Sequence, residues 1–146
     1  MTFAAAPDAV VTVHPPPLVT LMVGGAVEVR IGVAVADGYH IQSNPASGAF
    51  LIPVRLELRA KSGVHPREPA YPPGRPYRLQ GAPNDLMVYE GTFEIVVSLE
   101  ASESARPGSR ILQGVLRYQA CDERSCLFPA STPVKLTLQV VPESDK

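Results

Sequence analysis

The sequence has little net charge, and it lacks both a long apolar run and any helical hydrophobic period. Thirteen basic and 14 acidic residues leave a net charge of -1. This argues against binding to nucleic acid or to an anionic membrane, since either needs a basic face. The most apolar stretch, residues 17–29, contains Thr20, two glycines and Glu28. It falls short of the roughly 20 apolar residues that span a bilayer.

Cysteines are also few, and Cys121 and Cys126 are the two in the chain. Two are too few for a disulfide scaffold, and a four-ligand zinc site would need histidines as well. His14, His40 and His65 all lie far from the cysteines in sequence, so the spacing gives no support for a metal site. We expect no metal and no cofactor.

The first residues lack the marks of a signal peptide. Residues 1–8 have neither a basic n-region nor a proper apolar h-region. We therefore expect either a cytosolic protein or a chain whose targeting segment has been removed. Within the chain we expect a flexible segment at residues 1–8, a single domain at 9–142 and a flexible tail at 143–146.

Proline and valine are abundant, with 16 and 18 of the 146 residues. So many prolines leave little room for long helices, because proline removes a hydrogen-bond donor and clashes with the preceding turn. Valine favours strands. The apolar fraction of 45% is enough for the core of one ordinary domain. An all-helical bundle is excluded.

Apolar and polar residues alternate along much of the chain, which is the period of a strand with one buried face. Such alternation also favours antiparallel pairing. With turn residues between them, seven or eight such segments predict an all-β, immunoglobulin-like antiparallel β-sandwich. The segments are 26–36, 54–59, 93–99, 112–118 and 134–140, with shorter candidates at 10–13, 18–22 and 86–89.

The alternation of apolar and polar residues is interrupted at residues 62–85, which contain six prolines. A loop of this length inside a compact domain is usually functional or disordered. Proline also protects the edge of a sheet from strand addition, so the segment is equally typical of a covered edge. The two interpretations are compatible.

The two cysteines flank a polar turn of four residues between a strand ending at Cys121 and a short apolar stretch opening at Cys126. A hairpin of this size brings two Cα atoms within the roughly 4.4–6.8 Å of a disulfide. Closing so short a loop stabilises a protein by only about 2 kcal/mol. The pair therefore suits reversible thiol–disulfide exchange, although a structural bridge, a metal site and two unrelated thiols remain open.

Charges in the turn bear on thiol reactivity. Asp122 and Glu123 should raise the pKa of a neighbouring thiol, while Arg124 should lower it. The balance is unlike that of a strongly activated thiolate. We therefore expect the pair to receive or relay electrons, with a better nucleophile on the partner.

Four motifs follow one another along the chain: DGYHI at 37–41 with SNP at 43–45, EPAYPP at 68–73, VYEG at 88–91, and YQAC at 118–121 with CLFP at 126–129. Together they resemble the N-terminal domain of the periplasmic thiol–disulfide interchange reductase family, DsbD. The resemblance covers about residues 27–140. Four residues separate the cysteines here, where some members have five, and Tyr89 stands where well-known members carry phenylalanine.

The resemblance implies roles for the two cysteines and for their surroundings. Cys126 would form the mixed disulfide with partners, and Cys121 would resolve it. A cap loop would shield the pair until a partner displaces it, although Tyr89 could equally be a half-buried aromatic at a strand end. The cap positions are Val88, Tyr89, Glu90 and Gly91, and the aromatics expected near the site are Tyr39, Tyr118 and Phe128.

The resemblance also implies partners and a compartment. Electrons would pass from a membrane-embedded domain to a thioredoxin-like domain, then to this one, and on to periplasmic oxidoreductases. The implied activity is that of a protein-disulfide reductase domain acting as a monomer in the periplasm. The alternative is a structural or protein-binding sandwich whose disulfide only pins a hairpin, and no Ser/His/Asp or paired-carboxylate motif points to a hydrolase.

Overall fold

The structure is a computed structural model that describes residues 10–48, 50–78, 81 and 84–143. These residues form twelve strands and no helix, so no helix among them is long and apolar enough to cross a membrane. The flexible segment predicted at residues 1–8 lies outside the described residues, as do residues 144–146 of the tail predicted at 143–146. The strands are β1 (Val11–His14), β2 (Val19–Met22), β3 (Ala26–Val35), β4 (His40–Gln42), β5 (Arg55–Leu58), β6 (Val64–Pro66), β7 (Arg75–Tyr77), β8 (Leu86–Tyr89), β9 (Thr92–Ala101), β10 (Gly108–Tyr118), β11 (Ala120–Cys121) and β12 (Ala130–Val141).

Two four-stranded sheets form the sandwich. The first sheet has the strand order β1-β3-β9-β6, and the second has the order β2-β12-β10-β5. The long strands form the centre of each sheet, with β3 antiparallel to β9 and β10 antiparallel to β12. The predicted immunoglobulin-like sandwich is therefore confirmed. One pair differs from the antiparallel expectation, because β2 runs parallel to β12.

The core lies between these sheets, on the faces that the alternation predicts. In β12 the four alternate apolar residues are all at most 2% exposed. In β10 the register brings Gly114 so close to β5 that a Cβ there would lie 2.0 Å from the carbonyl oxygen of Glu57. A side chain is excluded at that point of the ladder. The buried β12 residues are Val134, Leu136, Leu138 and Val140.

A third sheet, here called the end sheet, has the order β11-β4-β8-β7. Three of its strands continue long strands of the sandwich, because β4 follows β3, β8 precedes β9 and β11 follows β10. Of these four strands the sequence predicted β8, and it predicted a strand ending at Cys121, where β11 ends. Strands of two or three residues are too short to show an alternation.

The proline-rich segment supplies edge strands. β6 is the last strand of the first sheet and β7 the last of the end sheet. Between them Ala70 forms a two-way backbone bridge with Val96 of β9, at 2.7 and 3.0 Å. The hydroxyl of Tyr71 accepts a 2.9 Å hydrogen bond from the amide of Leu56 in β5. The segment thus covers the side of the sandwich from β9 to β5, as the edge interpretation predicts.

Candidate functional site

The two cysteines form a disulfide across the hairpin that follows β10. Two backbone hydrogen bonds flank the pair, from Asp122 N to Ser125 O at 2.9 Å and from Leu127 N to Ala120 O at 2.7 Å. The cysteines therefore face each other as partners in a short antiparallel ladder. Their Cα atoms lie 3.8 Å apart, closer than the expected range.

The turn between the cysteines is fixed by the side chain of Asp122. One of its carboxylate oxygens accepts 2.8 Å hydrogen bonds from the backbone amides of Arg124 and Ser125. These two bonds lower the pKa of the Asp122 carboxyl below its ordinary value. A carboxylate consequently stays charged directly beside Cys121.

Exposure of the two cysteines is unequal. Cys121 is 0% exposed, whereas Cys126 is partly exposed. The two cysteines also differ in their places in the fold, because Cys121 ends β11, which pairs with β4 in the end sheet, whereas Cys126 lies outside the named strands and is bridged to Cys121. Phe128, two residues further on, is 72% exposed. A molecule approaching from solvent meets Cys126 and Phe128 before it meets Cys121.

Two buried polar side chains of β4 lie on the Cys121 side of the end sheet. His40 is the register partner of Cys121, and Gln42 lies two residues further along the same face. The side-chain amide of Gln42 donates a 3.5 Å hydrogen bond to Sγ of Cys121. Within the described residues, His40 Nε2 and Gln42 Oε1 have no hydrogen-bond partner.

His40 is held in place by an aromatic neighbour. Its ring centroid lies 4.0 Å from that of Tyr77 in β7. Burial lowers the pKa of His40, and the negative charges of Glu90 and Asp122 oppose that shift. Burial dominates, which favours a neutral imidazole beside the disulfide.

The four predicted cap residues divide between the core and the surface. Val88 and Tyr89 belong to β8 and are 1% and 4% exposed. Tyr89 donates to the carbonyl of Pro72 at 2.7 Å and accepts from the amide of Asn44 at 3.2 Å. Tyr89 lies at the end of β8, as the alternative to the cap role predicts. It is more deeply buried than the half-buried aromatic expected there. The cap role remains a prediction.

Glu90 and Gly91 are exposed and line a cleft of about 680 Å³ beside the hairpin. Tyr39 lines the same cleft and is partly buried. The turn between the cysteines forms another wall, through residues 122–124. The structure thus brings Tyr39, half of the predicted cap and the cysteine turn to one concave surface.

Tyr118 and Phe128 are not among the residues that line this cleft. Tyr118, the last residue of β10, packs partly buried against the core, and burial raises the pKa of its hydroxyl. Gln119 ties the segment after Cys126 in place, because its side chain accepts from the amide of Ile52 at 3.2 Å and donates to the carbonyl of Leu127 at 3.5 Å.

The sequence analysis missed His40, Gln42 and Tyr77 as neighbours of the site. Histidine and glutamine at alternate positions 40 and 42 were the available signal, because two polar residues on one face of a short strand must find partners if buried. Among the described residues no group of three or more His, Cys, Asp or Glu side chains could hold a metal ion.

The family model described as "Thiol:disulfide interchange protein DsbD, N-terminal" matches residues 11–138. The chain belongs to the DsbD N-terminal domain family. The match contains the hairpin, β4 and the cleft, and family membership assigns the domain to thiol–disulfide redox chemistry in general terms. Among curated protein sequences no relative of this chain is found.

Two solved structures show a similar fold. The N-terminal periplasmic domain of ScsB from Proteus mirabilis matches with a TM-score of 0.58 and 16% identity, covering 91% of this chain and 49% of that one. A family 123 glycoside hydrolase from Clostridium perfringens matches with a TM-score of 0.50 and 9% identity, covering 92% of this chain and 28% of that one. The chain thus spans about half of the ScsB domain, and both likenesses concern the fold alone.

Proposed function

We propose that this domain relays reducing equivalents through the Cys121–Cys126 pair between thioredoxin-like partners in the periplasm. The unequal burial of the two cysteines carries the proposal, because Cys121 is 0% exposed and Cys126 partly exposed. Exchange depends on which sulfur can be reached. To donate electrons, the thiolate of Cys126 attacks a partner disulfide and forms the mixed disulfide. The thiolate of Cys121 then attacks Sγ of Cys126 from inside the domain, which re-forms the Cys121–Cys126 bond and releases the reduced partner.

The surroundings support a docking function for this end of the sandwich. The cleft beside the hairpin offers Tyr39, the exposed cap residues Glu90 and Gly91, and the turn at 122–124. Phe128 adds an exposed aromatic beside Cys126. In this proposal Glu90 and Gly91 move when a partner docks, while Val88 and Tyr89 anchor the cap to β8.

Family membership supports the type of chemistry, and the ScsB domain, itself periplasmic, supports the compartment. A membrane-embedded domain and a thioredoxin-like domain as electron donors belong to the same proposal. In it the domain acts as a monomer, as a protein-disulfide reductase module without a cofactor.

Trapping tests the proposal. Cys121→Ala should accumulate a mixed disulfide with a thioredoxin-like protein, because nothing resolves the bond at Cys126, and Cys126→Ala is the matched control that should form none. The reduction potential of the wild-type pair should lie at roughly -180 to -270 mV. A potential below about -300 mV, with no trapped complex, would instead favour the structural sandwich module.

A further inference from the structure

A buried amide lies against the sulfur that must leave when Cys126 is attacked. Gln42 is 0% exposed, and its Nε2 lies 3.5 Å from Sγ of Cys121. β4 holds it there through backbone bonds on both sides, from Gln42 N to Gln119 O at 3.2 Å and from Val54 N to Gln42 O at 3.2 Å. The position of the amide is therefore set by the fold.

The site otherwise disfavours a negative charge on Cys121. The cysteine is 0% exposed, and a buried thiolate loses the hydration that stabilises it in water. The carboxylate of Asp122 is next to Cys121 in the chain, and Glu90 and Asp122 both line the cleft beside the hairpin. A thiolate that is poorly stabilised is also a poor leaving group in exchange.

We infer that Gln42 is a positioning residue, whose side-chain N–H group stabilises the thiolate of Cys121 when the disulfide opens. This inference rests on the proposed exchange function. Hydrogen bonds to ionised groups are about twice as strong as neutral ones. The contact therefore gains strength as charge develops on the sulfur, and it favours the open state over the disulfide.

Reduction of the disulfide by a partner dithiol is an exchange in two steps. A partner thiolate attacks Sγ of Cys126, the new S–S bond forms, and the Cys121–Cys126 bond breaks with its electron pair on Sγ of Cys121. The partner's second thiolate then attacks its own first sulfur and expels Cys126 as a thiolate. The partner dithiol is oxidised to a disulfide, and this domain gains two electrons and, from the two partner thiols, two protons.

The carbonyl oxygen of the Gln42 side chain provides evidence against a purely structural role. Gln42 Oε1 is buried with no hydrogen-bond partner in the described residues. An unsatisfied buried carbonyl costs stability, and an apolar side chain of similar length would not carry that cost. If position 42 served only for packing, methionine or leucine would give a more stable protein than glutamine.

The test compares Gln42→Met and Gln42→Leu with the wild-type protein. Both variants should unfold at the same or a higher urea concentration. In the reduced protein the pKa of Cys121 should rise by about one unit, followed by NMR titration of isotope-labelled cysteine Cβ resonances. Reduction of the disulfide by thioredoxin at neutral pH should slow roughly threefold to tenfold.

Gln119→Met is the matched control. Within the described residues the side chain of Gln119 bonds the backbone of Ile52 and Leu127 and neither sulfur, so Gln119→Met should leave the pKa of Cys121 unchanged. Folded Gln42 variants with a wild-type Cys121 pKa would overturn the inference. If thioredoxin fails to reduce even the wild-type protein, the proposed function fails, and the pKa comparison still decides the role of Gln42, because it needs no partner.

Discussion

The hydroxyl of Tyr89 in β8 donates a 2.7 Å hydrogen bond to the carbonyl of Pro72 in the proline-rich segment. The same hydroxyl accepts from the amide of Asn44, which follows β4. One side chain therefore links β8, the proline-rich segment and the residues that follow β4. Its ring also stacks on Phe93 of β9, with centroids 4.3 Å apart.

Tyr89→Phe should destabilise the domain by about 0.5–1.5 kcal/mol, because it removes the hydrogen bonds to partly buried backbone groups of Asn44 and Pro72. Urea unfolding of the oxidised protein measures this loss. Tyr77→Phe is the control, since it keeps the ring contact with His40. If Tyr89 acted mainly as a movable cap, its phenylalanine variant would keep full stability and change the exchange rate instead.

Long strands could be predicted from the sequence because burial on one face imposes a period of two. Val134, Leu136 and Leu138 are buried as their alternation requires. Short strands cannot be predicted in this way, because β4, with three residues, shows no alternation of buried and exposed residues. All three of its residues are buried, so burial gives no alternation there, and the polar pair His40 and Gln42 at alternate positions was the one signal in the sequence.

The candidate site was predictable in its chemistry but only partly in its geometry. The spacing of Cys121 and Cys126 predicted a hairpin within disulfide reach, and the disulfide is present. Which cysteine is buried depends on β11 pairing with β4, a contact between residues about 80 positions apart. Spacing within one hairpin contains no information about such a contact.

Gly114→Ala should destabilise the domain by about 1–3 kcal/mol. A Cβ at this position would lie 2.0 Å from the carbonyl oxygen of Glu57 and 2.9 Å from Cα of Leu58, so β5 must shift away from β10. The midpoint of urea unfolding is the measurement. Gly32→Ala is the matched control, because its Cβ would lie 3.4 Å from His14 O. Equal stability of the two variants would contradict this account of the β5–β10 contact.

Reduction of the disulfide should cost about 2 kcal/mol of stability, because the closed loop is short. The cysteines are five positions apart and already paired by two flanking backbone bonds, so the reduced hairpin should keep its shape. Urea unfolding of the oxidised and the reduced protein, at the same pH, gives the difference. The Cys121→Ala/Cys126→Ala variant should match the reduced protein, and a loss well above 4 kcal/mol would indicate a structural bridge.

His40→Phe should remove a pH dependence of stability that the wild-type protein shows in mild acid. Burial lowers the pKa of His40 below its ordinary value of 6.5, so the unfolded chain takes up a proton before the folded one does. The contribution of the neutral ring to stability is complete above pH 6.5 and is lost as the pH falls towards the lower folded value. Phenylalanine keeps the packing against Tyr77 without a titrating group. Urea unfolding measured from pH 7.5 to 5 should therefore show a smaller change of stability with pH for His40→Phe than for the wild type. His65→Phe is the control. Parallel stability–pH profiles for His40→Phe and the wild type would show that His40 does not titrate in this range.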